Sequence, residues 1–324
     1  MNGGAENLCH SMSSNWPLVS ICIPAYDKPD LILQCVKSAL AQTYQNKEVI
    51  VSDDSENEQV YSVLKEYVSQ NQIKYYQNKN RQGRLANYRR LLHELASGDW
   101  VMMLDGDDYF TDNSYIEKCI KDSISRNDSI LYYFARHSVD ESKQASMETN
   151  FIIKNGSEYI KNPIEFCSKF SHLTSLYKRR LAIESDFYQF NDLHGFLKLA
   201  SLGLIAYYPH FAGVWRNVPM SQSKSLSEQD LYNIFRYFQK PGELDLFMNI
   251  QISNRYILYY FINYLFLINR LPENEKYIAR DILLQSSRFS DYFSKSLELF
   301  LIQANNIILK FYLKLLNILY QCRN

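Results

Sequence analysis

Glycine and proline are scarce in this sequence, with 10 and 8 residues among 324. So few turn-forming residues argue against a loop-rich β-sandwich or a fibrous protein. The chain also lacks net charge, because 35 Lys and Arg balance 35 Asp and Glu. A general nucleic-acid binder normally carries a basic surplus, so we expect no nucleic-acid partner. The 46% of hydrophobic residues predicts a folded chain with a sizeable core.

Segments that direct a chain into or through a membrane are also missing. Residues 1–15 have neither a basic start nor an apolar run, so we expect no signal peptide. No uninterrupted stretch of 18 apolar residues occurs, which argues against a spanning helix. No C-x-x-C pair occurs among the six cysteines, and Cys22 and Cys35 stand in apolar runs, which favours buried free thiols. These observations predict a cytoplasmic protein.

Short apolar runs alternate with stretches of helical period over the first third of the chain. Apolar runs at 18–23, 49–51, 73–76 and 100–104 predict strands. The spacing of apolar residues predicts helices at 30–42, 57–69 and 84–96. Strands that are apolar on both faces and separated by single helices are typical of an α/β fold with a mainly parallel sheet.

After about residue 140 the pattern is less regular. Residues 140–150 are expected to form an exposed loop, and further strands are predicted at 172–178, 205–208 and 211–215.

Ligands of open α/β sheets bind beyond the carboxyl ends of the strands. Three of these ends read Pro24 to Asp27, Ser52 to Ser55, and Asp105 to Asp108. Neither G-x-G-x-x-G nor G-x-x-x-x-G-K-[ST] occurs in the chain, which excludes dinucleotide oxidoreductases and P-loop NTPases. An acidic cleft that binds phosphate without a glycine loop needs a bridging divalent cation.

The two acidic clusters allow two interpretations each. Clustered carboxylates at 105–108 raise one another's pKa, and a divalent cation with oxygen ligands relieves this repulsion. The alternative is an acidic turn that caps a helix starting near Asp112. Asp53 could accept a hydrogen bond from a nucleotide base or a ribose hydroxyl, whereas Asp54 and Ser55 could instead cap the next helix.

Four motifs in order, PLVSICIPAY, EVIVSDDS, NRQGRLAN and DWVMMLDGDD, resemble the family 2 glycosyltransferases of the GT-A fold, of the bacterial surface-polysaccharide type. The resemblance is close over residues 17–125 and looser over 172–217. Asp27 stands where the family usually has Asn, and the Asp53-Asp54-Ser55 run lacks the family's glycine. The resemblance implies a Rossmann-like nucleotide-sugar-binding domain.

The resemblance also implies roles for single residues at the donor nucleotide. Tyr26 would stack on the base or form a hydrogen bond with it, Asp53 would accept the base N–H, and Asp105 would contact the ribose. Asp107 would ligate Mn²⁺ or Mg²⁺. Arg81 and Arg84 would lie near the base and phosphates, although a solvated helix start explains either arginine equally well. The full donor set is Pro24, Ala25, Tyr26, Asp53, Arg81, Arg84, Asp105 and Gly106.

Asp192 is the residue that the resemblance identifies as the catalytic base. It matches the Asp of the Glu-Asp pair with which the family opens a helix, while Asn191 replaces the Glu. The alternative interpretation is an ordinary helix cap, and Asp186 is the reserve candidate for the base. His194 is expected to be structural. Trp215-Arg216 resembles an aromatic-Arg pair near the product phosphates.

We expect three regions: a disordered segment 1–16, a GT-A domain 17–220 and a helical region 221–324. The apolar spacing over 297–320 is compatible with an amphipathic helix lying on a membrane that presents a lipid-linked acceptor. In that case the cytoplasmic protein would be peripheral on the inner face of the membrane. Alternatively, helices 245–269 and 297–320 pack on each other or across a homodimer.

The expected reaction is an inverting, metal-dependent transfer of a sugar from a nucleotide-sugar donor to a hydroxyl of a saccharide or lipid-linked saccharide. UDP is favoured because uracil offers an N3–H to Asp53, where cytosine has a lone pair. Thymine and guanine also offer donors, so dTDP and GDP remain open. The rivals are a nucleotidyltransferase, which should carry a G-x-G-T-R-type loop, and a non-catalytic scaffold that recruits partners through the C-terminal helices.

Overall fold

The computed structural model describes residues 16–139, 150–162, 166, 169–188 and 192–216. The chain divides into two units, and the first, Met1–Lys154 together with Lys169–Asn217, contains the strands that position the site. The fold described below is that of this first unit, apart from a short helix at its border.

Strands and helices alternate over the first hundred described residues, as the sequence predicts. The strands are β1 (Val19–Ala25), β2 (Lys47–Asp53), β3 (Lys74–Gln77) and β4 (Trp100–Met103). The helices are α1 (Pro29–Leu40), α2 (Gln59–Ser69) and α3 (Arg84–Arg90). β1 pairs in parallel with β2 and β4, and β2 pairs in parallel with β3. Because β1 and β4 are buried along most of their length, both read as continuous apolar runs.

The second half of the unit extends the same sheet with strands of both directions. Its elements are β5 (Tyr109–Phe110), α4 (Tyr115–Ser125), β6 (Tyr132–Ser138), β7 (Ile152–Asn155), α5 (Gly156–Ile160), a 3₁₀ turn (His172–Thr174), β8 (Leu176–Lys178), α6 (Arg179–Glu184), α7 (Asp192–Ser201) and β9 (Leu204–Val214). The strand order is β3-β2-β1-β4-β8-β6-β9-β5, and β7 pairs with β9. β8 runs antiparallel to β4 and β6, so the sheet is parallel over β1–β4 and mixed beyond.

Several local predictions differ from the structure in their bounds. The helix predicted over 84–96 is α-helical only to Arg90 and continues as a π-helical turn, Leu91–Leu95. The strand predicted over 172–178 is a 3₁₀ turn followed by the short β8. The two strands predicted at 205–208 and 211–215 form the single strand β9. For β8 and β9 a tertiary contact decides the bounds, because β8 pairs with β4 and β9 pairs with β6.

The capping alternatives for the acidic clusters are not supported. α2 begins after Glu58, which makes no side-chain cap, and Asp54 points instead to the loop after β3. α4 begins at Tyr115, and Asp112 accepts hydrogen bonds from the backbone and hydroxyl of Ser114. Both acidic clusters therefore need another explanation than helix capping.

The thiols of Cys22 and Cys35 are buried and free, as predicted. Burial raises the pKa of both thiols, and Cys35 also stands near the acidic loop 105–108. These two cysteines are therefore core residues.

Some predictions fall outside the described residues. These are the disordered segment 1–16 except Trp16, the exposed loop at 140–150 except Asn150, the helical region 221–324 with its membrane or dimer contact, residue Asn191 and the side chain of His194. The ring of Trp16 lies 5.8 Å from the ring of Tyr44. Within the described ranges, no helix combines the length and apolar character needed to cross a membrane.

Candidate active site

The carboxyl ends of β1, β2 and β4 lie side by side, because these strands are parallel neighbours. Ala25 at the end of β1 pairs in register with Asp53 at the end of β2. Leu104, just after β4, donates its backbone N–H to the carbonyl of Cys22 in β1 at 2.8 Å. A Cβ on Gly106 would lie 2.9 Å from the carbonyl oxygen of Pro24, so only glycine lets the two strand ends approach this closely.

Asp53 is fully buried at the end of β2, and its carboxylate is held by its neighbours. One oxygen accepts from the backbone N–H and hydroxyl of Ser55 at 2.9 and 2.5 Å, and the other accepts from the hydroxyl of Tyr75 at 2.6 Å. A carboxylate has about four lone-pair positions, so about one is left for a further donor. A base N–H could use that position only if neighbouring side chains moved, because Asp53 is fully buried, and its role at the base stays a prediction.

Asp54 organises the loop that follows β3. Its carboxylate accepts from the side chain of Asn78 at 2.9 Å and from the backbone N–H groups of Gln82 and Gly83, both at 2.7 Å. The same loop places the Arg81 guanidinium 4.2 Å from the centroid of the Tyr26 ring. Tyr26 is 43% exposed, so an aromatic ring and a cation are presented together beside the end of β1.

The acidic loop after β4 is bound from two sides. Asp105 accepts a short hydrogen bond from the Tyr88 hydroxyl of α3. Burial raises the pKa of Asp105, against the lowering effects of His172 and Tyr88. Asp108 is buried and accepts the backbone N–H of Arg216 at 3.0 Å. Burial, and secondly the charge of Asp105, raise its pKa to about 8.

Arg216, which follows β9, binds the main chain of this loop. Its guanidinium donates to the carbonyl of Asp107 at 2.7 Å and lies 4.4 Å from the Tyr109 ring centroid. A cation therefore stands next to the acidic cluster, at the position for which the resemblance implies a phosphate contact.

Asp107 is the carboxylate of this loop that is most available to a cation. Its side chain is 26% exposed, and Lys28 Nζ approaches Oδ2 at 3.3 Å. Among the described residues, no group of three His, Cys, Asp or Glu side chains could hold a metal ion. Mg²⁺ usually takes one or two carboxylates and completes its shell with phosphate oxygens and water. Asp107 fits that pattern as a protein ligand.

Asp192 opens α7 on the other side of Tyr88, and it is linked to the acidic loop through an aromatic stack. Its Oδ2 lies 3.5 Å from Nε2 of His172, and its side chain is 38% exposed. The His172 ring stacks on the Tyr88 ring, with centroids 5.1 Å apart, and Tyr88 binds Asp105. Asp105, which is predicted to contact the nucleotide-sugar donor, and Asp192, the predicted base, are thus connected through the side chains of Tyr88 and His172.

The environment of Asp192 keeps its carboxylate ionised. Burial alone would raise the pKa, but the adjacent His172 ring and the charge of Arg84 outweigh it, so the pKa lies below its ordinary value. The Arg84 guanidinium lies 5.8 Å from the Tyr88 ring centroid. The structure therefore separates the two arginines: Arg81 lies on Tyr26 and Arg84 acts on Asp192.

Asp186, the reserve candidate for the base, is differently placed. Its carboxylate accepts from the guanidinium of Arg89 at 2.7 Å, and both side chains are about 40% exposed. This surface ion pair leaves Asp192 as the candidate that shares a cluster with the donor residues.

A cavity of about 690 Å³ opens between the end of β3 and α3, and the predicted donor residues do not line it. Its arginines are already partnered, Arg89 by Asp186 and Arg90 by a short hydrogen bond to Asn78. The cavity borders the end of β3, and none of the predicted donor residues of β1, β2 and the loop after β4 lines it. It is lined by Gln77, Asn78, Lys79, Gln82, Ala86, Arg89, Arg90, His93 and Glu94.

The sequence predicts no site role for four members of the site, which are Tyr88, His172, Lys28 and Asp54. The helical pattern predicts Tyr88 as an inward core residue, and it is buried, but its hydroxyl serves Asp105. Asp54 is conspicuous only as half of an acidic pair. No signal in the sequence marks His172, which contacts the site only through the tertiary fold.

The sheet has a parallel half and a mixed half, and its acidic strand ends lie beside an aromatic-cation pair. This combination is typical of the GT-A glycosyltransferases. Truncated S. aureus TarS (residues 1–349) in complex with UDP-GlcNAc matches 93% of this chain and 88% of its own, with a TM-score of 0.63 and 17% identity. The mannosyltransferase PcManGT of Pyrobaculum calidifontis, in complex with GDP-Man and Mn²⁺, matches 96% and 88% with a TM-score of 0.54 and 13% identity. Both similarities show the GT-A fold.

The family Glycosyl transferase family 2 matches residues 20–184, about half of the chain, and the chain belongs to this family. The Escherichia coli glucosyltransferase WfaP, named for UDP-Glc and α-D-GlcNAc-diphosphoundecaprenol, is 37% identical over 93 residues, 29% of this chain and 36% of WfaP. The E. coli chondroitin synthase is 32% identical over 105 residues, 32% of this chain and 15% of the synthase. The chain thus matches about a third or less of these relatives. The predicted family and fold are confirmed.

Proposed function

We propose that the protein transfers a sugar from a UDP-sugar to an acceptor hydroxyl, with inversion at the anomeric carbon. The observation that carries this proposal is the link from Asp105 through Tyr88 and His172 to Asp192. This link places the ionised, partly exposed carboxylate of Asp192 beside the residues for which the family resemblance implies contacts with the donor nucleotide.

The donor nucleotide would lie over the ends of β1 and β2. Tyr26 and Arg81 offer a stacking surface for the base, and Asp53 offers a lone pair to a base N–H. Since a carboxylate only accepts, uracil, thymine and guanine suit Asp53 and cytosine does not. TarS was solved with UDP-GlcNAc and WfaP is named for UDP-Glc, which supports UDP, whereas PcManGT was solved with GDP-Man.

A divalent cation would be held by Asp107, and when bound it supplies positive charge to the departing diphosphate. Support comes from the partly exposed carboxylate of Asp107 and from Mn²⁺ in the structural neighbour PcManGT. Lys28 and Arg216 of this chain flank the same loop and would add positive charge there.

In the transfer step, Asp192 accepts the proton of the acceptor hydroxyl while the acceptor oxygen bonds to the anomeric carbon. The bond from that carbon to the diphosphate oxygen breaks, and its electron pair leaves with UDP. A single displacement of this kind inverts the anomeric configuration. The lowered pKa of Asp192 keeps the base in its accepting form at neutral pH.

The acceptor is proposed to be a growing saccharide or a lipid-linked saccharide in surface-polysaccharide synthesis. WfaP and chondroitin synthase support this class by their names. A peripheral membrane contact or a homodimer through the C-terminal helices stays a prediction, since those helices lie outside the described residues.

Replacement of the two carboxylates tests the proposal by separating catalysis from binding. Asp192→Asn keeps the size of the side chain but removes the base, so transfer should fall by about 10²–10⁴-fold with nucleotide affinity almost unchanged. Asp107→Asn should weaken both transfer and UDP binding in Mn²⁺. Transfer rates and UDP dissociation constants measured in one buffer distinguish the two.

Asp186→Asn is the matched control, because it removes a partly exposed carboxylate of the same unit that pairs with Arg89. It should keep near-native transfer. Near-native turnover of Asp192→Asn, together with a large loss in Asp186→Asn, would move the base to Asp186 and overturn the assignment made above.

A further inference from the structure

His172 is placed where a buried imidazole can control one carboxylate. It stands in the 3₁₀ turn before β8 and is 5% exposed. Its Nε2 is buried and makes no hydrogen bond of standard geometry, and the polar atom within ion-pair distance of it is Oδ2 of Asp192 at 3.5 Å. Because a carboxylate can only accept, Nε2 must carry the hydrogen for this contact to be attractive.

The other ring nitrogen has a partner that suits this tautomer. Nδ1 of His172 lies 3.3 Å from the hydroxyl of Tyr188, which lies 3.3 Å from the hydroxyl of Tyr177. With the hydrogen on Nε2, Nδ1 accepts from Tyr188, and the Tyr177 hydroxyl donates to Tyr188. The Nε2–H of His172 is then directed to the carboxylate of Asp192, its nearest polar neighbour.

The orientation of the ring is fixed by stacking against two tyrosines. The ring centroids of Tyr88 and Tyr188 lie 5.1 and 5.6 Å from that of His172, with interplanar angles of 27° and 26°. Tyr188 has a backbone φ of 67°, in the left-handed region that bulky residues rarely adopt.

We infer that His172 is a positioning residue for the proposed base: its Nε2–H holds Oδ2 of Asp192 and so leaves Oδ1 for the acceptor hydroxyl. Oδ1 also accepts the backbone N–H of Leu193 at 3.1 Å, so both oxygens have fixed directions. This inference rests on the proposed function, since it gives His172 a task only if Asp192 is the base.

The charged and titratable groups around Asp192 make the inference distinguishable from a packing role. His172 and Arg84 lower the pKa of this carboxylate, whereas burial raises it, and Tyr88 is the other titratable neighbour. Loss of the His172 donor should therefore raise the pKa of Asp192. The acidic limb of the pH–rate profile, which reports an ionised base, should move to higher pH.

The test compares His172→Phe with His172→Gln in the full chain. Phe keeps the stacking but has no donor, whereas the Gln amide places an N–H near the position of Nε2. The assay is release of UDP from whichever of UDP-glucose, UDP-galactose and UDP-GlcNAc the wild type hydrolyses, with water as acceptor. We expect H172F to lose about 10–100-fold in kcat, as orienting residues do, with the UDP dissociation constant unchanged and the acidic limb moved upward.

His172→Gln should recover most of the lost rate, and H172F should cost nothing further in an Asp192→Asn background. Equal losses in both His172 variants with an unmoved acidic limb would show a structural role and overturn the inference. Native kcat in H172F would also overturn it. If H172F melts much earlier than wild type, Tyr188→Phe, which removes only the hydroxyl at Nδ1, replaces it and should lower kcat several-fold.

Failure of the proposed function gives a different result. If Asp192→Asn keeps near-native UDP release, the base assignment falls and the inference about His172 falls with it. If Asp192→Asn is impaired while H172F is native, the base assignment stands and only the role of His172 is lost.

Discussion

Asp54 shows how a side chain can order a binding surface of which it is not itself a part. Its two oxygens accept three hydrogen bonds from Asn78, Gln82 and Gly83, and it is 4% exposed. These bonds hold the loop that carries Arg81 above Tyr26. The stacking surface proposed for the base therefore exists before the nucleotide arrives.

Asp54→Ala should weaken UDP binding by about tenfold, because the loop must then be ordered during binding at a cost of about 0.5–1.5 kcal/mol per immobilised side chain. Titration calorimetry with UDP and Mn²⁺ measures this change. Glu58→Ala, at an exposed position without a side-chain cap, is the control and should bind normally. Unchanged affinity in Asp54→Ala would show that the loop does not contribute to nucleotide binding.

At the scale of elements, Glu48 joins three strands at the end of the sheet opposite to the site. It stands on β2 and accepts from Ser20 of β1 at 2.5 Å, from Lys74 of β3 at 2.6 Å, and from the backbone and hydroxyl of Ser97 at 2.8 Å. Burial raises its pKa, but these hydrogen bonds outweigh it and lower the pKa to about 2. An ionised Glu48 therefore stabilises the contacts among β1, β2 and β3 at this end of the sheet.

Glu48→Gln should lower the free energy of unfolding at pH 7 by on the order of 2 kcal/mol, once the exposure of Lys74 is discounted. Because the folded pKa lies below the unfolded value near 4.5, this stabilisation is present above pH 4.5 and is lost as the pH falls towards 2. Urea unfolding of both proteins across this range measures it. Glu56→Gln, at an exposed glutamate, should show no such trend.

At the scale of the whole unit, the strand order brings together residues from opposite ends of the described chain. β4 pairs with β8, and β5 pairs with β9, so Arg216 reaches the acidic loop after β4. The site is assembled from a parallel half that carries the proposed donor residues and a mixed half that carries Asp192 and His172.

UDP should stabilise this fold only when a divalent cation is present, because Asp105 and Asp107 otherwise repel the diphosphate. At about 100 times the dissociation constant, a ligand adds about 2.7 kcal/mol. Thermal shifts with UDP, dTDP, GDP and CDP, each with and without Mn²⁺, measure this stabilisation, and CDP should give the smallest shift. Equal UDP shifts in excess EDTA would contradict the role of the cation, and Asp107→Asn serves as its control.

The sequence alone predicted the α/β alternation, the parallel strands β1–β4 and the acidic strand ends. Those features are local, because a strand buried on both faces requires a continuous apolar run and the site residues follow it directly in the chain. Their grouping follows from parallel pairing alone. The motifs that resemble family 2 glycosyltransferases lie in this same local part, so the order of residues is enough to recognise the family.

Only the tertiary structure decided the other half of the site. The mixed pairing of β8 and β9, the separation of Arg81 from Arg84 and the stack of Tyr88 on His172 depend on contacts between residues far apart in the chain. A buried histidine or tyrosine has the same local pattern whether it fills a core or faces a carboxylate. Its role follows from the polar atom opposite, and that atom is set by the packing of α3 and α7 around the turn that carries His172.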